Sequence, residues 1–121
     1  MADTLLVVVS YNNLDITKKC LFGLVTQDTD VDVVLWDNAS TDGTQEWVES
    51  RPLPLKGAVL SNKNVLWTPA INAGLDRYFD PKEHKYVGWL NNDIILEKKN
   101  VVSKLREYLQ DEDPRPCEEH Q

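Results

Sequence analysis

Residues 5–9 read Leu-Leu-Val-Val-Val, five apolar side chains in succession with no polar alternation. A strand with one wet face alternates apolar and polar residues. An unbroken run needs cover on both sides, which is the situation of a parallel strand between layers of helix. Residues 31–36 repeat the pattern with one interruption, and residues 57–60 and 86–90 supply two shorter apolar segments. Between these strands the period changes. Leu14, Cys20, Leu21, Leu24 and Val25 follow a helical spacing, with Asn12 or Asn13 placed to cap it. Ser40-Thr41-Asp42-Gly43 offers a turn before a short helix over 44–50, with Trp47 and Val48 inward. Arg51-Pro52-Leu53-Pro54 ends that helix, because proline lacks an amide donor and restricts the residue before it. Thr68-Pro69 predicts a further helix start, with the hydroxyl as cap and proline in first position, and with Ile71, Leu75, Tyr78 and Phe79 facing inward. Asp80-Pro81 closes that helix. Val101, Val102, Leu105, Tyr108 and Leu109 mark the inner stripe of a last one beginning near Asn100. Strands alternating with helices at this spacing predict a Rossmann-like, mainly parallel α/β sheet in three αβα layers, with right-handed crossovers. One domain is expected over 1–110, followed by a polar tail over 111–121.

Composition sets outer limits on function. Of 121 residues, 41% are hydrophobic and 27% charged, which suits a folded globular chain. A formal charge of -7 disfavours binding modes that neutralise nucleic-acid phosphates or anionic lipid. Cys20 and Cys117 stand far apart in no metal-ligand spacing, so two free thiols in a reducing compartment, the cytoplasm, are expected. Residues 1–4 lack a basic leader, and the run at 5–9 is too short for a signal core or a membrane span.

Open α/β sheets bind ligands outside the carboxyl ends of their strands. Here those exits are Ser10-Tyr11-Asn12, Asp37-Asn38-Ala39-Ser40, Ser61-Asn62-Lys63-Asn64 and Asn91-Asn92-Asp93. Singly, each has the composition of ordinary caps and turns. Jointly they place a carboxylate at the second and fourth exits among side-chain amides. That set suits a ligand with ribose hydroxyls, a base edge, and a diphosphate held through a divalent cation. Neither Gly-x-Gly-x-x-Gly nor Gly-x-x-x-x-Gly-Lys-Ser/Thr occurs. Without those amide cradles a metal must carry the diphosphate charge, and Asp93 is the expected ligand for Mg²⁺ or Mn²⁺.

Four segments in order, Val9-Ser10-Tyr11-Asn12, Asp37-Asn38-Ala39-Ser40-Thr41-Asp42-Gly43-Thr44, Asn64 with Asn72-x-Gly74, and Leu90-Asn91-Asn92-Asp93, resemble family 2 glycosyltransferases, especially the rhamnosyltransferase-like branch. The resemblance spans residues 5–110, about the first half of the family's domain. It implies the nucleotide-sugar-binding half of the A-type glycosyltransferase fold. It also implies inverting, metal-dependent transfer from a UDP, GDP or dTDP sugar to a glycan or other acceptor hydroxyl. Tyr11 and Asp37, with Ser10, Asn12 and Asn38 beside them, would approach nucleobase and ribose. Asn64, Trp67, Asn72, Asn91 and Asn92 would line the nucleotide-sugar pocket, and Asp93 would bind the metal.

This chain departs from the family pattern in three ways. The Asp-x-Asp motif appears as Asn91-Asn92-Asp93, which implies weak metal binding. The glycine-rich Asn-x-Gly-Phe-Ala-x-Gly appears as Asn64-Val65-Leu66-Trp67-Thr68-Pro69-Ala70, with bulk in place of glycine. Trp67 takes the aromatic position, either stacking on ligand or packing the helix start. The general base belongs to the family's second half, and Asp111-Glu112-Asp113, followed by Pro114-Arg115-Pro116, reads as solvated tail. A donor-binding module without turnover is the alternative. A phosphoacceptor signalling domain is disfavoured, since no acidic pair follows the first strand. Faces left open by a half-length domain lead to an expectation of self-association, such as a homo-oligomer.

Overall fold

The computed structural model describes residues 2–111. In chain order the elements are β1 (Thr4–Ser10), α1 (Leu14–Val25), β2 (Asp32–Asn38), α2 (Thr44–Glu49), β3 (Gly57–Ser61), α3 (Trp67–Tyr78), β4 (Tyr86–Asn91) and α4 (Val101–Asp111). The four strands form one sheet in the order β3-β2-β1-β4. Every neighbouring pair is parallel, with Val7 opposite Val34 on one side and Trp89 on the other. This is the α/β architecture that the alternating pattern predicts.

Side chains alternate across the sheet and divide the core in two. On one face Val8, Val33 and Leu35 meet Cys20, Leu21 and Leu24 of α1 and Val48 of α2. On the other, Leu5, Val7 and Val34 meet Leu75 and Tyr78, while Val9 meets Ala70 and Ile71. Helix α3 lies close to the sheet at Gly74, where an added Cβ would stand 2.9 Å from a Val7 methyl.

The chain runs from β1 outward to β2 and β3, and α3 then returns it across the sheet to β4 on the far side of β1. That reversal puts the topological switch point, where open sheets form their ligand crevice, between the exits of β1 and β4.

Three local expectations need correction. Helix α3 starts at Trp67 with Leu66 as its cap residue, so Thr68 is not the cap and Pro69 sits in third position. Proline is tolerated there because amides of the first turn have no helical acceptor. Asn13 occupies the cap position of α1 in a left-handed backbone, and neither it nor Asn12 caps the helix with its side chain. On α4 only Val102 is buried, whereas Leu105, Tyr108 and Leu109 are exposed, as is Phe79 beyond the end of α3. Cys20 is a buried free thiol. Cys117 and the tail expected from 111 lie, but for Asp111, outside the described residues. Among the described residues no helix is long and apolar enough to cross a membrane.

Candidate functional site

The corner between the exits of β1 and β2 is built around Asp37, which has no exposed surface. One carboxylate oxygen accepts from the hydroxyls of Ser10 (2.7 Å) and Ser40 (2.6 Å). The other accepts from the Ser40 amide (2.9 Å) and the Gln45 side chain (2.8 Å), which also reaches the Ser61 carbonyl. A buried carboxylate is tolerated where hydrogen bonds replace its lost water, and here four donors do so.

Asn38, also buried, works on the opposite face of β2. Its side-chain oxygen accepts from the Trp36 indole and the Val65 amide, and its amide nitrogen donates to the Leu66 carbonyl. Asn64 accepts from the Leu66 amide at 2.8 Å. Together they hold Leu66 at φ 71 and ψ -172, a backbone region that is essentially glycine-only. The glycine missing from the sequence is thus still present as a conformation.

Asn12 and Asn13 adopt left-handed φ values of 57 and 60. The Asn12 side chain accepts from the Thr41 amide (2.8 Å), and its backbone amide donates to Ser40. Asp42 joins two helices. One oxygen accepts from Leu14 at the start of α1, and the other from the amide and hydroxyl of Thr44 at the start of α2. The Thr44 hydroxyl, more than any other group, holds the Asp42 carboxyl below its ordinary pKa. Asn92 is buried beneath the β4 exit and donates to the Asn12 carbonyl (3.1 Å) and the Thr17 hydroxyl (2.8 Å).

The remaining candidates present themselves to solvent. Tyr11 is 50% exposed and Trp67 40% exposed. Asn64, Asn72, Asn91 and Asp93 are exposed as well. Asn72 lies about 8 Å along α3 from its first residue, from the helical rise. No hydrogen bond among the described residues joins its exposed side chain to the other candidates. Among the described residues the Asp93 carboxylate has no hydrogen-bonding or ion-pair partner. Its charge is still felt inside. Burial first, and Asp93 second, push the Cys20 thiol up to about 11.

The sequence marks Ser40 only as a strand-exit and turn residue and Asp42 only as a turn residue, and it gives no signal for Gln45 and Thr17. The reach of Asp42 to a second helix is a tertiary feature.

A shallow concavity of about 670 Å³ on the α1 side of the rim is lined by Asn12, Asn13, Leu14, Asp15, Ile16 and Asp42. A groove of about 490 Å³ between α2 and β3 contains none of the candidate residues. For a divalent cation the rim offers the exposed Asp93, a hard oxygen donor, with exposed Asn91 two residues before it. That donor set fits an ion which takes one or two carboxylates and completes its shell with phosphate and water. Asp32, Glu83 and His84 form a second cluster at the opposite end of the sheet. His84 Nδ1 accepts from the Asp80 amide (3.0 Å), so Nε2 carries the proton and donates to Asp32 (2.8 Å). A metal at Nε2 would force the ring proton to Nδ1, against that amide, so this cluster is a structural clamp.

The four-stranded parallel sheet, with the polar rim at its switch point, has the α/β fold of solved A-type glycosyltransferases. The chain belongs to glycosyl transferase family 2, whose family model matches residues 5–115. Among solved structures it is similar to the mannosyltransferase PcManGT of Pyrobaculum calidifontis in complex with GDP-Man and Mn²⁺. That match has a TM-score of 0.74 and 24% identity, over 93% of this chain and 33% of the other. It is also similar to S. aureus TarS 1-349 in complex with UDP-GlcNAc, with a TM-score of 0.71 and 22% identity, over 91% of this chain and 31% of the other. An uncharacterized protein, L138, of Acanthamoeba polyphaga mimivirus is 27% identical over 106 residues, 80% of this chain and 12% of its own length. The chain therefore spans about a third of the solved relatives and an eighth of the viral one.

Proposed function

We propose that this chain binds the donor of an inverting, divalent-metal-dependent glycosyltransferase of the rhamnosyltransferase-like branch. One observation carries the reading: Asp93 at the switch point is exposed and has no partner among the described residues, while Asp37 and Asp42 beside the exits of β1 and β2 are held by protein donors. A carboxylate left free at a strand exit suits an Mn²⁺ or Mg²⁺ ion carrying a nucleoside diphosphate. When bound, that ion would neutralise charge on the leaving diphosphate. The exposed Tyr11 ring and the Trp67 edge offer surfaces to a nucleobase, and Asn64 and Asn91 offer amides to hydroxyls. The donor is a UDP, GDP or dTDP sugar, the acceptor a glycan or other hydroxyl, and the setting the cytoplasm, with self-association through the exposed α4 face. The GDP-Man and Mn²⁺ bound to the mannosyltransferase and the UDP-GlcNAc bound to TarS support the donor class.

A second reading is donor binding without turnover, since among the described residues no group is identified as a general base. Calorimetry with UDP, GDP and dTDP, with and without Mn²⁺, beside an assay for diphosphate released from the matching sugar donor, decides between them. Binding with release supports the enzyme, and binding alone supports the module. Absence of binding by any of the three with Mn²⁺ contradicts both.

A further inference from the structure

Asn92 occupies the middle position of Asn91-Asn92-Asp93, where the family motif leaves the residue open. Its environment here does not leave it open. Both amide hydrogens are engaged, one on the Asn12 carbonyl at 3.1 Å and one on the Thr17 hydroxyl at 2.8 Å. Thr17 is fully buried on α1 and passes its own proton to the Asn13 carbonyl at 3.1 Å. One side chain on the β4 exit therefore holds, directly or through one hydroxyl, the carbonyls of the two consecutive left-handed residues after β1.

Chemistry limits what this position can carry. A carbonyl only accepts, so the group facing Asn12 must donate. An ionised aspartate only accepts, and would set a negative charge against that carbonyl. An amide meets the requirement at this size. Tyr11 directly precedes the held turn, and Asp93 directly follows the holder.

We propose that Asn92 is a positioning residue, which fixes the place of the backbone that carries Asp93 by fastening the β4 exit to the β1–α1 turn. The inference rests on the reading of Asp93 as metal anchor. Groups that orient a ligand without touching the ion are worth about 10–100-fold in metal affinity. Asn92 makes no hydrogen bond to the Asp93 carboxylate and acts on it through the chain that joins them, by holding the β4 exit against the β1–α1 turn.

The test is Mn²⁺ titration in the presence of UDP or GDP, followed by the electron paramagnetic resonance of free Mn²⁺, on the full chain. Asn92→Ala is compared with Val33→Ala, a core truncation near the start of β2, at the end away from the rim, that lowers the melting temperature without touching the rim. The expected result is an affinity about tenfold weaker in Asn92→Ala and unchanged in folded Val33→Ala. Equal losses in the two variants, or wild-type affinity in Asn92→Ala, would overturn the proposal. If Asn92→Ala does not fold, Thr17→Val, which removes one of the two anchors, decides instead. A smaller loss in the same direction supports the proposal, and wild-type affinity overturns it. Failure of the wild type to bind Mn²⁺ with either nucleotide would remove the donor reading and this inference with it, and shows before any substitution is made.

Discussion

Two corners of the same rim differ in what they do with a carboxylate. At the exits of β1 and β2, Asp37 is buried with four protein donors, and Ser10, Asn12 and Ser40 join a continuous set of hydrogen bonds around it. At the exit of β4, Asp93 is exposed and bonded to nothing described, while its neighbour Asn92 faces inward to hold the turn. Composition makes the two corners look alike, since each is an Asp among Asn and Ser. Burial separates them into a framework and a contact surface.

The largest expected effect tests the framework. Asp37→Ala would orphan donors from Ser10, Ser40 and Gln45 in a buried site, at a cost of about 3–5 kcal/mol by denaturant titration. A loss below about 1 kcal/mol would break the distinction between the corners. Leu66→Gly runs the other way. Relief of the strained backbone, set against glycine's extra chain entropy, should stabilise the fold by about 1 kcal/mol. Destabilisation in the same titration would show that the leucine side chain, 69% exposed, makes contacts that outweigh the strain.

Asp42→Ala should cost about 1 kcal/mol, as for other lost helix caps. Because the folded pKa lies below the unfolded one, Asp42's contribution is present above the ordinary carboxylate range and is lost as pH falls through the lowered value. Its effect should therefore shrink in acid melts, and a pH-independent difference between variant and wild type would contradict the capping role.

The layered parallel architecture was legible because unbroken apolar runs have few other solutions, and Leu5, Val7, Val8 and Leu35 are indeed fully buried. The location of the rim followed from strand exits alone. The division within it did not, because whether an Asp or Asn faces inward depends on strand parity and on partners as far off as Gln45 and Thr17. Helix starts were misread for the same reason. The acceptor for the first amide of α1 is the Asp42 carboxylate, 28 residues away in the chain. The start of α3 was hidden because Leu66 adopts a conformation its residue type rarely takes. On α4 the sequence pattern showed an apolar face, and Tyr108 and Leu109 are exposed on it.

The smallest effect on stability accompanies the most direct test of function. Asp93→Ala, at an exposed position, should shift stability by no more than about 0.5 kcal/mol. Calorimetry of UDP and GDP binding with and without Mn²⁺, on wild type and Asp93→Ala, then measures what the free carboxylate is for. The account predicts that Mn²⁺ strengthens nucleotide binding to the wild type and has no effect on the variant. A variant that folds and keeps the full Mn²⁺ enhancement would contradict it.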